Sequence, residues 1–111
     1  MSAIERIKDQ LSSHAVVLYM KGSPDFPQCG FSGQVIQAMQ ECRAKFMYIN
    51  IFEDQEVREA LKEYSQWPTY PQLYINEELV GGCDIVMGLH SKGELQKLLA
   101  AVDCVVEASA A

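Results

Sequence analysis

The stretch Ala15 to Met20 reads AVVLYM, six apolar residues with no polar alternation. Side chains of a strand point alternately to opposite faces, so a strand of this kind leaves neither face for water. It must lie in a sheet covered on both sides. Lys21-Gly22-Ser23-Pro24 ends the run, and Pro27 keeps the next residues out of a helix. A 111-residue chain with 49% hydrophobic and 22% charged residues can bury such a strand in one compact domain. We therefore expect one domain over residues 1–111, with its core at about 3–102 and a frayed tail at 103–111.

The flanking segments supply the cover. Ser2 and Glu5 have capping-box spacing ahead of Ile4, Ile7 and Leu11, which predicts a helix over 2–11. A helix is predicted from Gly30, with Phe31, Val35, Met39 and Cys42 on its apolar stripe. FMYINI, Phe46 to Ile51, reads as a second strand. Asp54 can cap a third helix with Val57, Leu61 and Tyr64 on one face. Gln72 to Ile75 and Glu78 to Val80 predict a hairpin about Asn76-Glu77. Asp84 is expected to cap a short turn of helix through Met87. Ser91 and Glu94 have capping-box spacing before Leu95, Leu98, Leu99 and Val102. The order predicts a small mixed α/β sheet with helices on both faces and a parallel first strand pair.

The formal net charge of −6 argues against nucleic acid or an anionic membrane as partner, and no apolar window of about 20 residues could span a bilayer. The start MSAIERIKDQ has neither the apolar core of a secretory signal nor the basic, acid-poor character of a transit peptide. A cytoplasmic location is expected.

Cys29, Cys42, Cys83 and Cys104 follow one another at intervals of 13, 41 and 21 residues. This is not the close pairing of a structural zinc site, and a disulfide framework does not suit a reducing compartment. Cys42 falls on the apolar stripe and is expected in the core. Cys104 has no assigned role. Cys29 differs from these, because it stands where the second helix begins. The unpaired N–H groups there stabilise a thiolate and lower its pKa, and Lys21 can add positive charge. Three residues on stands Ser32, which cannot close a disulfide. A lone thiol can form a mixed disulfide with a small thiol, ligate a soft metal, or attack carbon. The last needs a base, and neither His14 nor His90 is placed beside Cys29 by the pattern.

Four blocks, KGSP, CGFS, WPTYPQLYIN and LVGGCDI, stand in the order and separation of the monothiol glutaredoxins, which the chain resembles over about residues 3–102. The resemblance implies a thioredoxin fold with a four-stranded mixed sheet and a cis proline in Thr69-Tyr70-Pro71. It implies glutathione in a groove beside Cys29. Lys21 and Arg58 would meet the glycine-end carboxylate, Tyr70 would pair through its backbone, and Cys83 and Asp84 would hold the γ-glutamyl end. It also implies a 2Fe–2S cluster with Cys29 as the one protein ligand from each chain. Four sulfur ligands then require a homodimer and two glutathione molecules. The function implied is cluster transfer to acceptor iron–sulfur proteins, with BolA-like proteins as further partners. The alternative is glutathione-dependent reduction of glutathionylated proteins by Cys29 alone. Asn76-Glu77-Glu78 departs from the usual Asn-Gly-Glu turn and touches no expected site residue.

Overall fold

A computed structural model describes residues 2–106. Strand β1 (Val16–Met20) is buried along its whole length and lies inside a four-stranded sheet of order β2-β1-β3-β4. It pairs in parallel with β2 (Met47–Asn50) and antiparallel with β3 (Gln72–Ile75). Its side chains divide as the apolar run requires. Val16, Leu18 and Met20 enter one core with Val35, Met39, Leu73, Leu95 and Leu99. Val17 and Tyr19 enter the other with Ile7, Leu11, Val57 and Leu61. Helices α1 (Ala3–Ser13) and α3 (Gln55–Ser65) cover the second face. Helices α2 (Gly30–Glu41), α4 (Cys83–Ser91) and α5 (Glu94–Ala101) cover the first.

The local signals account for most boundaries. Ser2 caps α1 in a complete capping box with Glu5. Asp54 accepts from the Val57 amide at the start of α3. Its carboxylate also receives both Nε and Nη2 of Arg6, at 3.2 and 3.0 Å. One side chain thus caps α3 and ties it to α1. The turn from β3 to β4 (Glu78–Gly81) has positive φ at Asn76 (49°) and Glu77 (68°), the arrangement of a two-residue primed turn that matches strand twist. The Tyr70–Pro71 bond is cis, as expected.

Several expectations are corrected. Asp84 does not cap α4. Gly82 is the N-cap, Asp84 lies in the first turn, and the helix runs on to Ser91 instead of ending near Met87. Ser91 does not cap α5: its Oγ donates to the Gly88 carbonyl within α4, and Gly93 at φ 74° makes the corner. A left-handed glycine turns the chain there without a side-chain cap. Phe31 and Tyr64 share the helical spacing of buried residues but are 59% and 40% exposed. Cys42 is buried, as expected. Towards the C-terminus, Lys45 N donates to Cys104 O and Val106 N to Arg43 O, so 104–106 run beside residues 43–45, just ahead of β2. Residues 107–111, part of the expected frayed tail, lie outside the described residues.

Burial opposes ionisation of Asp54, but the Val57 amide and Arg6 outweigh it and hold the carboxyl below its ordinary value. Asp54→Ala is expected to destabilise the fold by about 1–3 kcal/mol in urea unfolding at pH 7. A depressed folded pKa contributes stability above the unfolded value and loses it as pH falls through the folded value. The gap between wild type and Asp54→Asn should therefore close in acid.

Candidate active site

Three elements converge at one end of the sheet. β1 ends at Met20, and the chain then makes a small closed loop. Gly22 bridges Pro27, Ser23 and Phe26 exchange backbone bonds, and Gln28 N donates to Lys21 O at 2.9 Å. Gly22 sits at φ 93°, and a Cβ there would lie 2.5 Å from the Phe26 carbonyl oxygen. Only glycine closes this loop without displacement. Its base is pinned from two sides: Lys21 N donates to Ser32 Oγ at 3.2 Å, and Gly22 N to Asn50 Oδ1 at 3.0 Å.

The loop delivers Cys29 to the start of α2 as its N-cap, with extended backbone at φ −154° and ψ 138°. The thiol is half-buried. The Ser32 amide, above all, draws its pKa below the usual cysteine value. Slight burial acts against this, and the Phe31 amide and the Lys21 charge add to the lowering. Lone-cysteine chemistry at a helix start is therefore realised here as an ionisable, reachable sulfur. Ser32 is fully buried and its hydroxyl is engaged with Lys21. A Cβ at Gly30 would meet nothing within 4 Å, so the space beside the sulfur is open beyond the width of the glycine itself.

Next to Cys29, which interacts electrostatically with Lys21 and Cys83 but is not itself a lining residue, lies a cavity of ≈ 420 Å³, in the size range of small-molecule sites. Lys21 lines it from the end of β1 and Phe31 from α2. Trp67, Thr69 and Tyr70 come from the loop before β3, and Gly82, Cys83, Asp84 and Ile85 from the start of α4. A Cβ on Gly82 would stand 3.0 Å from Trp67 Nε1 and 3.3 Å from Pro71 O, so that wall is packed backbone to ring. Lys21 gives the cavity a cation and Asp84 an anion. The N-terminal ends of α2 and α4 both open here.

Of the expected residues, Lys21, Tyr70, Cys83 and Asp84 line the cavity together. The Tyr70 ring is packed into the core, with its hydroxyl donating to Arg58 O at 2.7 Å. Arg58 is not among the lining residues, and its guanidinium stands 5.4 Å from the Phe52 ring centroid. Cys83 Sγ donates to Gln34 Oε1 at 3.3 Å. Burial first, then the negative charges of Asp84 and Cys29, push this thiol's pKa up, so Cys83 stays protonated where Cys29 ionises. The cavity also takes residues outside the expected set: Phe31, whose spacing predicts a core position, and Trp67, Thr69, Gly82 and Ile85. Ile85 closes the LVGGCDI block without an assigned role, and Asn50 carries no local signal for its bond to Gly22, which depends on which elements fold together.

The four cysteines are free thiols. Among the described residues, no group of three or more His, Cys, Asp or Glu side chains is placed to hold a metal ion, and no helix is long and apolar enough to cross a membrane.

Iodoacetamide labelling followed by peptide mass analysis should resolve the two mouth thiols by pH. The rate at Cys29 rises with its thiolate fraction, so its midpoint is expected below that of free cysteine, and that of Cys83 above it. Lys21→Met should move the Cys29 midpoint upward.

The glutaredoxin family model matches residues 16–80. The chain is 46% identical over 102 residues to "Glutaredoxin 4" of Pasteurella multocida (strain Pm70), covering 92% of this chain and 94% of that protein. It is 48% identical to the protein in the solution structure of reduced poplar apo GrxS14, with a TM-score of 0.75 over 88% of this chain and 90% of that one. Reduced glutaredoxin C1 from Populus tremula x tremuloides superimposes with a TM-score of 0.83 at 26% identity, over 97% and 91% of the two chains. With the thioredoxin-fold sheet order, the cis proline beside the cavity, and Cys29-Gly30-Phe31-Ser32 carrying one thiol at the helix start, the chain belongs to the glutaredoxin family and is a monothiol member of it.

Proposed function

We propose that the protein binds glutathione in the cavity beside Cys29 and, as a homodimer, carries a 2Fe–2S cluster that it transfers to acceptor iron–sulfur proteins in the cytoplasm. The observation that carries this reading is the Cys29 thiol at the mouth, its pKa drawn below the ordinary value, with Ser32 buried behind it.

Glutathione has two carboxylates and one ammonium, and the cavity presents complementary groups. The Lys21 ammonium and the helix-start amides suit a carboxylate, and the Asp84 carboxylate suits the ammonium. Tyr70 lines the same cavity and would pair with the peptide through its backbone, and Cys83 contributes through its place at the start of α4. Arg58 joins this set only if its guanidinium leaves the Phe52 ring for the ligand's carboxylate.

The cluster is cargo in this reading. A 2Fe–2S unit takes four ligands, most often thiolates. One chain offers a single open sulfur, so two chains and two glutathione molecules complete the set. Two of the four ligands can diffuse away, which favours transfer over permanent residence. A BolA-like protein in place of the second copy would give a heterodimer sharing the same cluster.

The depressed pKa of Cys29 favours a second reading, glutathione-dependent thiol–disulfide exchange. The Cys29 thiolate attacks the glutathionyl sulfur of a protein mixed disulfide and the protein leaves as a thiol. A second glutathione thiolate then attacks the Cys29–glutathione bond, releasing oxidised glutathione and restoring Cys29.

One set of samples tests both. Anaerobic reconstitution with iron, sulfide and glutathione should give a coloured protein with the mass of a dimer. Cys29→Ser should lose the visible absorption, and Cys42→Ser and Cys104→Ser should keep it. A cluster that persists without Cys29 would overturn the carrier reading. Rapid, saturable turnover of a glutathione mixed disulfide by the colourless form would favour the second.

A further inference from the structure

Helices α2 and α4 share a second set of contacts, away from the cavity. Gln34 meets Cys83 near the two helix starts, and Glu41 and Cys42 meet His90 near the two ends. The Gln34–Cys83 and Glu41–His90 pairs are each 49 positions apart, so the helices run parallel and in step for two turns, about 10 Å. Both N-terminal ends thereby face the cavity, and both C-terminal ends come together at His90.

At that end His90 Nε2 lies 2.6 Å from Glu41 Oε1, and His90 Nδ1 lies 3.7 Å from Cys42 Sγ. The Cys42 thiol is 2% exposed. Burial, and then the neighbouring Glu41 charge, push its pKa up, so it stands as a proton donor. One arrangement satisfies all three groups. The Nε2–H donates to the Glu41 carboxylate, and Nδ1 accepts the S–H of Cys42. The clasp also places an N–H donor where negative ends gather. Parallel helices bring their negative ends together, and a carboxylate in the last turn adds to the repulsion. The last turn of α2 has no basic residue, whereas α4 has His90. Removal of this one ring would leave Glu41 facing two helix C-termini without a partner.

We propose that His90 is a positioning residue for the Cys29 site: by clasping Glu41 and Cys42 it holds α2 and α4 in step, and so sets the spacing of Cys29 and Gln34 on one helix from Cys83 and Asp84 on the other. His90 touches no substrate in this scheme. Because the helices are stiff over two turns, a change at their far ends alters the register at the near ends, where the Gln34–Cys83 bond reports it. The part of the proposal that concerns ligand affinity rests on the reading of the cavity as a glutathione site.

The test compares wild type with His90→Phe, His90→Gln and Glu41→Gln in the full chain. Three readouts are taken: alkylation rates at Cys42 and Cys83 by peptide mass analysis, glutathione affinity by calorimetry, and the His90 ring tautomer by nitrogen-15 NMR. The wild type should show the Nε2–H tautomer. His90→Phe keeps the ring volume but cannot clasp. It should speed alkylation at Cys83, two turns away, and weaken glutathione binding about three- to tenfold. His90→Gln can still donate to Glu41 and should recover most of both losses. Glu41→Gln should fall between, and with His90→Gln it decides the matter if His90→Phe does not fold. Faster alkylation at Cys42 alone, with Cys83 and glutathione affinity as in wild type, would reduce His90 to local packing and overturn the proposal. Wild type that binds no glutathione would instead overturn the proposed ligand, and the Cys83 rates would still decide the clasp.

Discussion

Burial of β1 on both faces is the constraint on which the rest of the structure depends. Its five residues are each 1% exposed or less, and their alternate side chains belong to two separate cores. A strand in that position needs neighbours on both edges and helices on both faces. It also leaves its C-terminal end as the place where the chain emerges from the sheet. Lys21 is the first residue after that point, and its backbone is held by Ser32 and Gln28. The position of Cys29 therefore follows from where β1 stops and how tightly the next seven residues fold back.

The chemistry of the site follows from helix direction. α2 starts at the end of β1, and α4 starts at the end of β4, in the same layer and pointing the same way. Two sets of unpaired amides thus open on one cavity. The nearer set acts on Cys29, where the Ser32 and Phe31 amides stabilise the thiolate and draw its pKa below the ordinary cysteine value. The Cys83 thiol, on the first residue of α4, goes the opposite way because burial and the neighbouring Asp84 disfavour its anion. Two thiols at one mouth are separated in reactivity by what surrounds each sulfur. This separation keeps a single nucleophile or ligand available.

How much was legible in the sequence varied with the range of the interaction. The capping box at Ser2, the Asp54 cap, the hairpin turn and the buried strand were all readable, because each depends on residues within a few positions of one another. The Ser91–Glu94 spacing failed for the same reason: it was a correct local pattern. It lost to Gly93, whose left-handed backbone let α4 run on to Ser91 and α5 start immediately after. Phe31 shows the limit of periodicity. It shares the spacing of Val35 and Met39, but it lies in the first turn of α2, beyond the edge of the sheet, where the same face looks into the cavity instead of the core.

By itself, the sequence determined the two-faced strand, the placement of one cysteine at a helix start, the absence of a second thiol at position 32, and four family blocks in order. These are statements about neighbours along the chain, and local sterics and hydrogen bonding decide them. Only the tertiary structure decided which cations and anions meet. Lys21 and Asp84 share a cavity although 63 positions separate them, while Arg58 turns to Phe52. Glu41, Cys42 and His90 form one network across two helices, which no spacing in the sequence announces. Such contacts depend on the mutual orientation of packed elements, and packing is set by the whole core at once.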